Sequence, residues 1–537
     1  MSNVFGCLLI SGIRQSPDAD AASAIKEARR RLRGVRLLCE GMQLSIYKKS
    51  VDARDPERVR LVYTVAARGN IPKVLPAGLD GITLLNEAEP TPTLGNTPLS
   101  ARPVVVGSGP CGLFCALLLA EHGYRPILLE RGGDVAERRQ AYRRFIECGV
   151  LDPDVNVQFG AGGAGTFSDG KLVTRIKDPF GAYILKTFVR FGAPEEILTL
   201  AKPHIGTDIL GGVVSNILAE IVRLGGEVLM HTTLEGLSLQ GNTLCSVSTS
   251  RGEIEAGALV LAVGHSARDT YEMLMSRGFS IEPKAFSVGM RIEHLQEDID
   301  RAMYGRYAGH PALGHAEYTL SADTKTRGVY TFCMCPGGEV MAAASEEGGV
   351  AVNGMSYHAR DGRNANSAVL ATVFREDYGN TPQAAIAFQR KIEKAAFVAA
   401  GSDYRAPVVT VGDFLNGEAK KEPSRILPTY REGRVSVVSP DAYLPSVYTD
   451  AIRRALGRFG KTLSGFDALD AVLTGAETRT SAPLRILRTE AYTALGYENI
   501  YPAGEGAGYA GGITSAAVDG IRTALALMKK YKPYGDS

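Results

Sequence analysis

The chain has 537 residues, more than one ordinary hydrophobic core holds, so two or three domains are expected. Its 60 basic and 58 acidic residues leave a formal charge of +2, too small for a broad polyanion-binding field, and no DNA partner is expected. No apolar run approaches the roughly 18–20 residues of a membrane span, no basic n-region marks a signal peptide, and the eight scattered cysteines form no C-x-x-C pair. A disulfide framework, a metal site and a membrane anchor are therefore not expected, and the expected compartment is the reducing cytoplasm.

Residues 1–75 read as a small α+β domain. Residues 5–13 are apolar enough for a strand, and Asp18 or Asp20 can cap a helix over 21–32, which is rich in Ala, Lys and Arg. Two further strand-like runs lie at 42–48 and 59–67. The charged connection holding Lys48, Lys49, Asp52, Arg54 and Asp55 reads as a solvated turn rather than a binding patch. Pro76, Pro90, Pro92 and Pro98 mark 76–100 as a linker or a strap across the next domain.

The stretch 104–131, VVVGSGPCGLFCALLLAEHGYRPILLER, organises the rest of the chain. Its β-branched opening suits a buried parallel strand. Gly107, Gly109 and Gly112 then fall in G-x-G-x-x-G spacing, a helix runs over 113–122, and a second strand delivers Glu130. That is the context a dinucleotide fingerprint needs. Gly107 permits the tight turn, Gly109 lets backbone approach a pyrophosphate, and Gly112 lets the helix pack closely. Pro110 and Cys111 are expected against the same ligand, and the N-terminus of the helix favours phosphate. Glu130, 18 residues past Gly112, is placed to accept hydrogen bonds from a ribose, with Arg131 beside it.

A basic helix is expected over Val135–Cys148, and after it a second glycine-rich loop, FGAGGAGTFSDGKL at 159–172. Glycines at 160, 162, 163 and 165 disfavour any regular element and suit close approach of backbone to a ligand. Thr166, Ser168, Asp169 and Lys171 supply polar groups there. A helix over 211–226, strands at 227–234, 244–249 and 251–255, and a buried strand in 258–267 ending near Gly264 come next. The segment 271–474 mixes strand and helix signals and holds no further G-x-G-x-x-G. Near the end, a short strand over 499–503 runs into glycines, and a helix starts near Ile513 and closes on Lys529 and Lys530.

Three separated stretches, VGSGPCG with Glu130 and Arg131, LVLAVGHSA, and YPAGEGAGYAGGITSA, together resemble the glutathione-reductase-type FAD superfamily. The whole chain resembles more closely a bacterial family of FAD-dependent (NAD(FAD)-utilising) dehydrogenases. That match rests on KKSVDARD (48–55), FGAGGAGTFSDGKLVTRI (159–176), GHSARDT (264–270), CMCPGGEV (333–340) and ETRTSAPLRI (477–486). The resemblance implies an α/β fold: a glutathione-reductase-type FAD-binding Rossmann domain, with an inserted α+β substrate domain and the small N-terminal α+β domain. The FAD-binding parts would be 101–270 and 475–537, with the substrate or cap domain at 271–474.

FAD is the cofactor the resemblance implies. Gly162, Gly163, Gly165 and Thr166 would line its ring or pyrophosphate, and Gly264 and Gly504 would lie against it. Glu505, where the superfamily usually has Asp, would hold the ribityl chain, and the backbone of Gly511, Gly512 and Ile513 would face the pyrimidine end. The function implied is an oxidoreductase, a dehydrogenase or reductase passing hydride or electrons between non-covalent FAD and a small-molecule substrate. NAD(P)H, if it serves as electron donor or acceptor, is expected in the substrate cleft, because no second fingerprint is present. Lys171, Arg291 and His294 are the expected catalytic residues. Cys333 and Cys335 share a strand face and read as packed thiols before a redox pair, and Arg479, Arg485 and Arg488 read as anion binders or junction pairs. An FAD-dependent RNA-modifying or RNA-binding protein is the alternative, against which the balanced charge and the lack of a basic aromatic tract both argue.

Overall fold

The computed structural model describes residues 3–173 and 178–535. Thr174, Arg175 and Ile176, which close the longest of the family-like motifs, lie outside the described residues.

The strand Pro103–Val106 is buried at every residue and takes the centre of a five-stranded parallel sheet. The order is Ile500–Pro502, Ala258–Leu261, Pro103–Val106, Ile127–Leu129, Glu227–Leu229. Stretches far apart in the chain therefore meet side by side, with Val260 paired to Val105 on one edge and Tyr501 on the other. Helix Pro110–Glu121 begins three residues earlier than its apolar run suggests, because proline at a first helical position forfeits no hydrogen bond. It is apolar on all sides because it lies between the sheet and the last helix, Ile513–Lys530. The two helices touch through Gly520, where a Cβ would run into the carbonyl oxygen of Cys111.

Helix Thr207–Arg223 starts earlier than expected and carries Gly211 inside it, where a Cβ would press on Val135 at 2.8 Å. The expected strand at 227–234 is broken after Leu229 by His231 in the left-handed region, φ 51°, and resumes as Leu234–Gln240 in a three-stranded meander.

A seven-stranded sheet forms the second layer system. Its order is Ser321–Asp323, Gly328–Cys335, Asn364–Val373, Phe286–Leu295, Val472–Glu477, Ala406–Thr410, Val435–Val437, antiparallel except for the last pair. Helices Pro382–Ala399 and Ser446–Thr462 cover it. Strand Gly328–Cys335 does not alternate cleanly. Its register slips between Phe332 and Cys335, and Cys333 sits at φ 43°.

The N-terminal sheet runs Gln43–Asp52, Arg60–Pro72, Asn3–Gln15, Ile82–Leu84, with helix Ala21–Gly34 packed on it and capped by Asp20. Its fourth strand comes from the stretch expected to be a linker, a segment of three residues too short to show a period. Lys49 is docked rather than solvated: its N–H donates to Thr199 O at 2.7 Å and its Nζ to Ala312 O at 2.7 Å. The neighbouring Asp52–Arg54 pair does lie at the surface, as a charged turn should.

The Gly520 contact gives a first prediction. Gly520→Ala should destabilise the protein by about 1–3 kcal/mol, since a rigid carbonyl rather than a flexible side chain must yield. A urea midpoint equal to wild type would show that the two helices do not pack through this glycine.

Candidate functional site

A cavity of about 400 Å³ opens where the parallel strands end. Its floor is the turn Gly107, Ser108, Gly109 and the residues after the neighbouring strands, Glu130, Gly264 and Glu505. Its opposite wall is the seven-stranded sheet, through Thr331, Phe332, Cys333 and Glu477, with Arg479 just beyond. The crevice at the carboxyl ends of a parallel sheet is where such folds take ligands.

The two glycine-rich segments meet edge to edge on this floor. Gly107 is at φ 98°, and a Cβ there would strike the Ala262 carbonyl. A Cβ on Gly112 would strike the Gly107 carbonyl, so both glycines serve strand and helix packing. Gly109 differs: the nearest atom to a Cβ would be Gly163 Cα at 4.0 Å, so it faces open cavity. Gly163 and Gly165 line the cavity within the short 3₁₀ turn Gly163–Phe167.

Gly162 and Thr166 correct the expectation that they line it. Gly162 donates its N–H to Ser108 O at 3.0 Å, and Thr166 Oγ1 donates to Ala161 O at 3.1 Å. Both shape the loop from behind. Pro110 and Cys111 lie at the cavity edge in the first turn of their helix.

Glu130 lines the cavity, but protein donors already fill its acceptor positions. Oε2 accepts from Ser108 N at 3.0 Å and Ser108 Oγ at 2.6 Å, and Oε1 from Gly132 N and Gly160 N, each at 2.9 Å. A carboxylate offers about four such positions. The carboxylate therefore ties the two loops together, in place of the ribose contact expected of it. Arg131 is likewise engaged, paired with Asp269 at 2.6 Å and lying 4.5 Å over the Phe159 ring.

Arg138 emerges only from the fold. It is fully buried, and its guanidinium donates to the carbonyls of Asn156, Val157, Ala161 and Gly163 at 2.6–3.1 Å, with its charge 4.7 Å over Phe167. Burial lowers its pKa to about 10, partly opposed by Glu130. A Cβ on Gly160 would collide with its side chain. Within a helix of sequence VAERRQAYRRF, one arginine among four shows no pattern that singles it out.

The last helix presents its N-terminus to the cavity through Gly511, Gly512 and Ile513. Gly511 N–H is already given to Ser515 Oγ at 3.1 Å, which leaves Gly512 and Ile513 as the donors that fit the expectation. Gly504 does not line the cavity. Its N–H donates to Asp519 at 2.7 Å, a carboxylate held by Arg488 at 2.6 and 3.0 Å. Arg488, stacked 3.7 Å over Tyr509, is thus structural.

Glu505 is the open acidic group. It lines the cavity, and its carboxylate has no hydrogen-bond partner among the described residues. Burial raises its pKa to about 7, with Lys284 pulling the other way.

From the glycine-rich loop Lys171 reaches the opposite wall, donating to Met334 O, and lies between Glu317 at 3.7 Å and Asp169 at 4.0 Å. Burial disfavours its charge, but these two carboxylates outweigh burial and raise its pKa. Arg360 closes the cluster, bonded to Asp169 and to Glu317 at 2.6 Å. Arg479 reaches the cavity while paired with Glu393 at 2.9 Å. Arg485 stands half-exposed, 3.9 Å from Glu282, outside it.

Arg291 and His294 are corrected. Arg291 is fully buried behind the wall, donating to Glu477 at 2.8 Å, Asn366 Oδ1 at 2.6 Å and Cys333 O at 3.1 Å. It meets no ligand. His294 is buried on the same strand with Nε2 2.8 Å from Phe466 O, away from the cavity. His265 does line it, bonded to Ser266 Oγ at 2.9 Å, and burial with the nearby Arg479 and Arg268 lowers its pKa to about 4, so it stays neutral.

Residues 285–480 match the family model described as FAD-dependent protein, C-terminal domain-like, and 105–176 match an NAD(P)-binding Rossmann-like domain. An uncharacterized protein of Clostridium beijerinckii (strain ATCC 51743 / NCIMB 8052) is 45% identical over 496 residues, covering 91% of this chain and 93% of that one. The chain belongs to this family of FAD-dependent proteins. Among solved structures, L-amino acid deaminase from Proteus vulgaris covers 83% of the chain (97% of its own) at 14% identity and TM-score 0.33. Glycine oxidase from Bacillus cereus ATCC 14579 covers 81% (96% of its own) at 10% and 0.32. Those scores are too low to carry a substrate across to the FAD-dependent protein.

The residues present fit FAD. Cβ atoms at Gly264, Gly511 and Gly512 would meet nothing within 4 Å, Gly109 is open, and Glu505 offers an unused acceptor suited to a sugar hydroxyl.

These contacts are testable in two ways. Arg138→Met should lower stability by about 3 kcal/mol or more and release the cofactor, because four buried carbonyls lose a charged donor. A denaturation curve like wild type would contradict this, as would an unchanged curve for Glu130→Ala.

The second test concerns pH. Because the folded pKa of Glu505 lies near 7 and its ordinary value near 4.5, it favours the folded apo-protein at low pH, and that contribution is lost as pH rises toward 7. Apo Glu505→Gln should therefore gain thermal stability relative to wild type between about pH 5 and about pH 8. A difference independent of pH would contradict the burial of this carboxylate.

Proposed function

We propose that the protein is an oxidoreductase of the glutathione-reductase-type FAD superfamily, moving hydride or electrons between non-covalent FAD and a small-molecule substrate. One observation carries this reading. A single cavity joins the dinucleotide turn at Gly109, the N-terminus of the last helix at Gly512, and a polar wall on the seven-stranded sheet.

FAD, when bound, supplies two-electron chemistry. The chain's residues position it and the substrate. Gly109 and Gly163 allow backbone to approach a pyrophosphate, and the Gly512 and Ile513 N–H groups with the helix dipole favour negative charge beside them. Glu505 would accept a hydroxyl. Lys171, neutralised by Asp169 and Glu317, acts as an oriented donor rather than a free counter-charge, so it favours a polar or carbonyl substrate over a strongly anionic one. NAD(P)H, if it is the donor, would bind in this same cleft, since the seven-stranded sheet is largely antiparallel.

Gly109→Val tests the reading. The open space around Gly109 lets the variant fold, while its side chain occupies the pyrophosphate's place. The purified wild-type protein should be yellow, release FAD on denaturation, and bleach anaerobically with NADH, NADPH or a member of a metabolite panel. The variant should fold and carry no FAD. Stoichiometric FAD in a folded Gly109→Val protein would overturn the assignment.

A further inference from the structure

Two thiols stand where the cavity meets the seven-stranded sheet. Cys333 is half-buried in the cavity wall, and Cys335 is fully buried behind it. In a regular strand, residues two apart hold their Cα atoms near the upper limit of about 6.8 Å for a disulfide. This strand is irregular at that point: its register slips between Phe332 and Cys335, and Cys333 adopts φ 43°, a conformation unfavourable for a residue with a Cβ. At this bend Cys335 Sγ lies against the Cys333 backbone, donating to Cys333 O at 3.3 Å.

Charged groups surround the pair on several elements. Arg291, two strands away in the same sheet, reaches Cys335 Sγ at 3.8 Å and Cys333 O at 3.1 Å. Lys171 and Asp169 face it from the glycine-rich loop, and Glu477 from the next strand. The Cys335 thiol, burial notwithstanding, combines with Arg291 and Lys171 to lower the Cys333 pKa to about 6, with Asp169 opposing. The hydrogen bond to Cys333, burial and the Cys333 thiolate hold Cys335 protonated. An accessible thiolate backed by a buried thiol is the arrangement of an attacking and a resolving cysteine.

We propose that Cys333 and Cys335 form a thiol–disulfide couple that exchanges an electron pair with the flavin of this cavity. This rests on the FAD-dependent reading above. The Cys333 thiolate and the Cys335 thiol lose two electrons and one proton as the Sγ–Sγ bond forms. Oxidised flavin would supply the two-electron acceptor for both electrons and that proton. In reverse, the reduced pair offers the Cys333 thiolate to a disulfide substrate: a mixed disulfide forms and one thiolate leaves, then Cys335 attacks Cys333 Sγ, giving its proton to the second leaving thiol.

The test uses the full-length holoprotein. After reduction and removal of reductant, iodoacetamide across about pH 5 to about pH 9 should alkylate Cys333 with a midpoint near 6 and leave Cys335 unmodified, read by peptide mass spectrometry. Diamide should then yield a peptide carrying both residues that is about 2 Da lighter and resists alkylation. Anaerobic dithionite should deliver two two-electron equivalents per FAD to the oxidised wild type, and one to Cys335→Ser that retains its FAD. Alkylation of Cys333 with an ordinary thiol midpoint, or one equivalent per FAD in the oxidised wild type, would mean two inert packed thiols and overturn the proposal. Protein free of FAD would instead sink the flavoenzyme reading, while the alkylation and mass shift would still report on the couple.

Discussion

Two glycine-rich loops can lie edge to edge beside an open cavity only if their backbone polar groups are satisfied from behind. Here two buried charges do this. Glu130 gathers the N–H groups of Ser108, Gly132 and Gly160, and Arg138 gathers the carbonyls of Asn156, Val157, Ala161 and Gly163. Donors and acceptors are sorted to opposite charges, so neither loop needs a regular element to hold its shape. The faces left toward the cavity are then bare glycine, at Gly109 and Gly163, where a ligand's backbone contacts would be made.

The same sorting governs the far end of the cavity. The last helix approaches helix Pro110–Glu121 at Gly520, which sets its N-terminal N–H groups over the cavity, and Asp519 with Arg488 anchors the preceding strand end through Gly504. Among the described residues Glu505 and the first-turn N–H groups of Gly512 and Ile513 have no partner. Between the second glycine-rich loop and the opposite wall the charges are paired, as in Lys171 with Asp169 and Glu317 or Arg479 with Glu393. A site of this kind orients a polar substrate by hydrogen bonds and leaves net charge to the cofactor.

Local pattern made the fingerprint legible. A buried β-branched strand and three spaced glycines are each dictated by backbone geometry within a few residues, and the structure follows them. The helix capped by Asp20 and the final helix closing on two lysines were legible for the same reason. Residues whose roles depend on distant partners were not. Arg138 looks like its solvated neighbours in sequence, yet four loop carbonyls draw it inward. Arg291 and His294 lie in a strand that is buried on both faces, so no period shows that they face the core. The place of Glu130 in the motif suggests a ribose contact, and only the fold reveals that loop amides occupy it. The bend at Cys333 is an insertion in a ladder, which no two-residue period announces.

If FAD lies along this cavity between two loops held by Glu130 and Arg138, a crystal structure of the purified protein with its cofactor is the most direct test. Pyrophosphate density is predicted between Gly109 and Gly163, a flavin hydroxyl on Glu505, and the ring end near Gly512 with Cys333 across from it. Glu130 should still accept from Ser108, Gly132 and Gly160. Cofactor density elsewhere in the fold, or loops that rearrange to release Glu130, would contradict it.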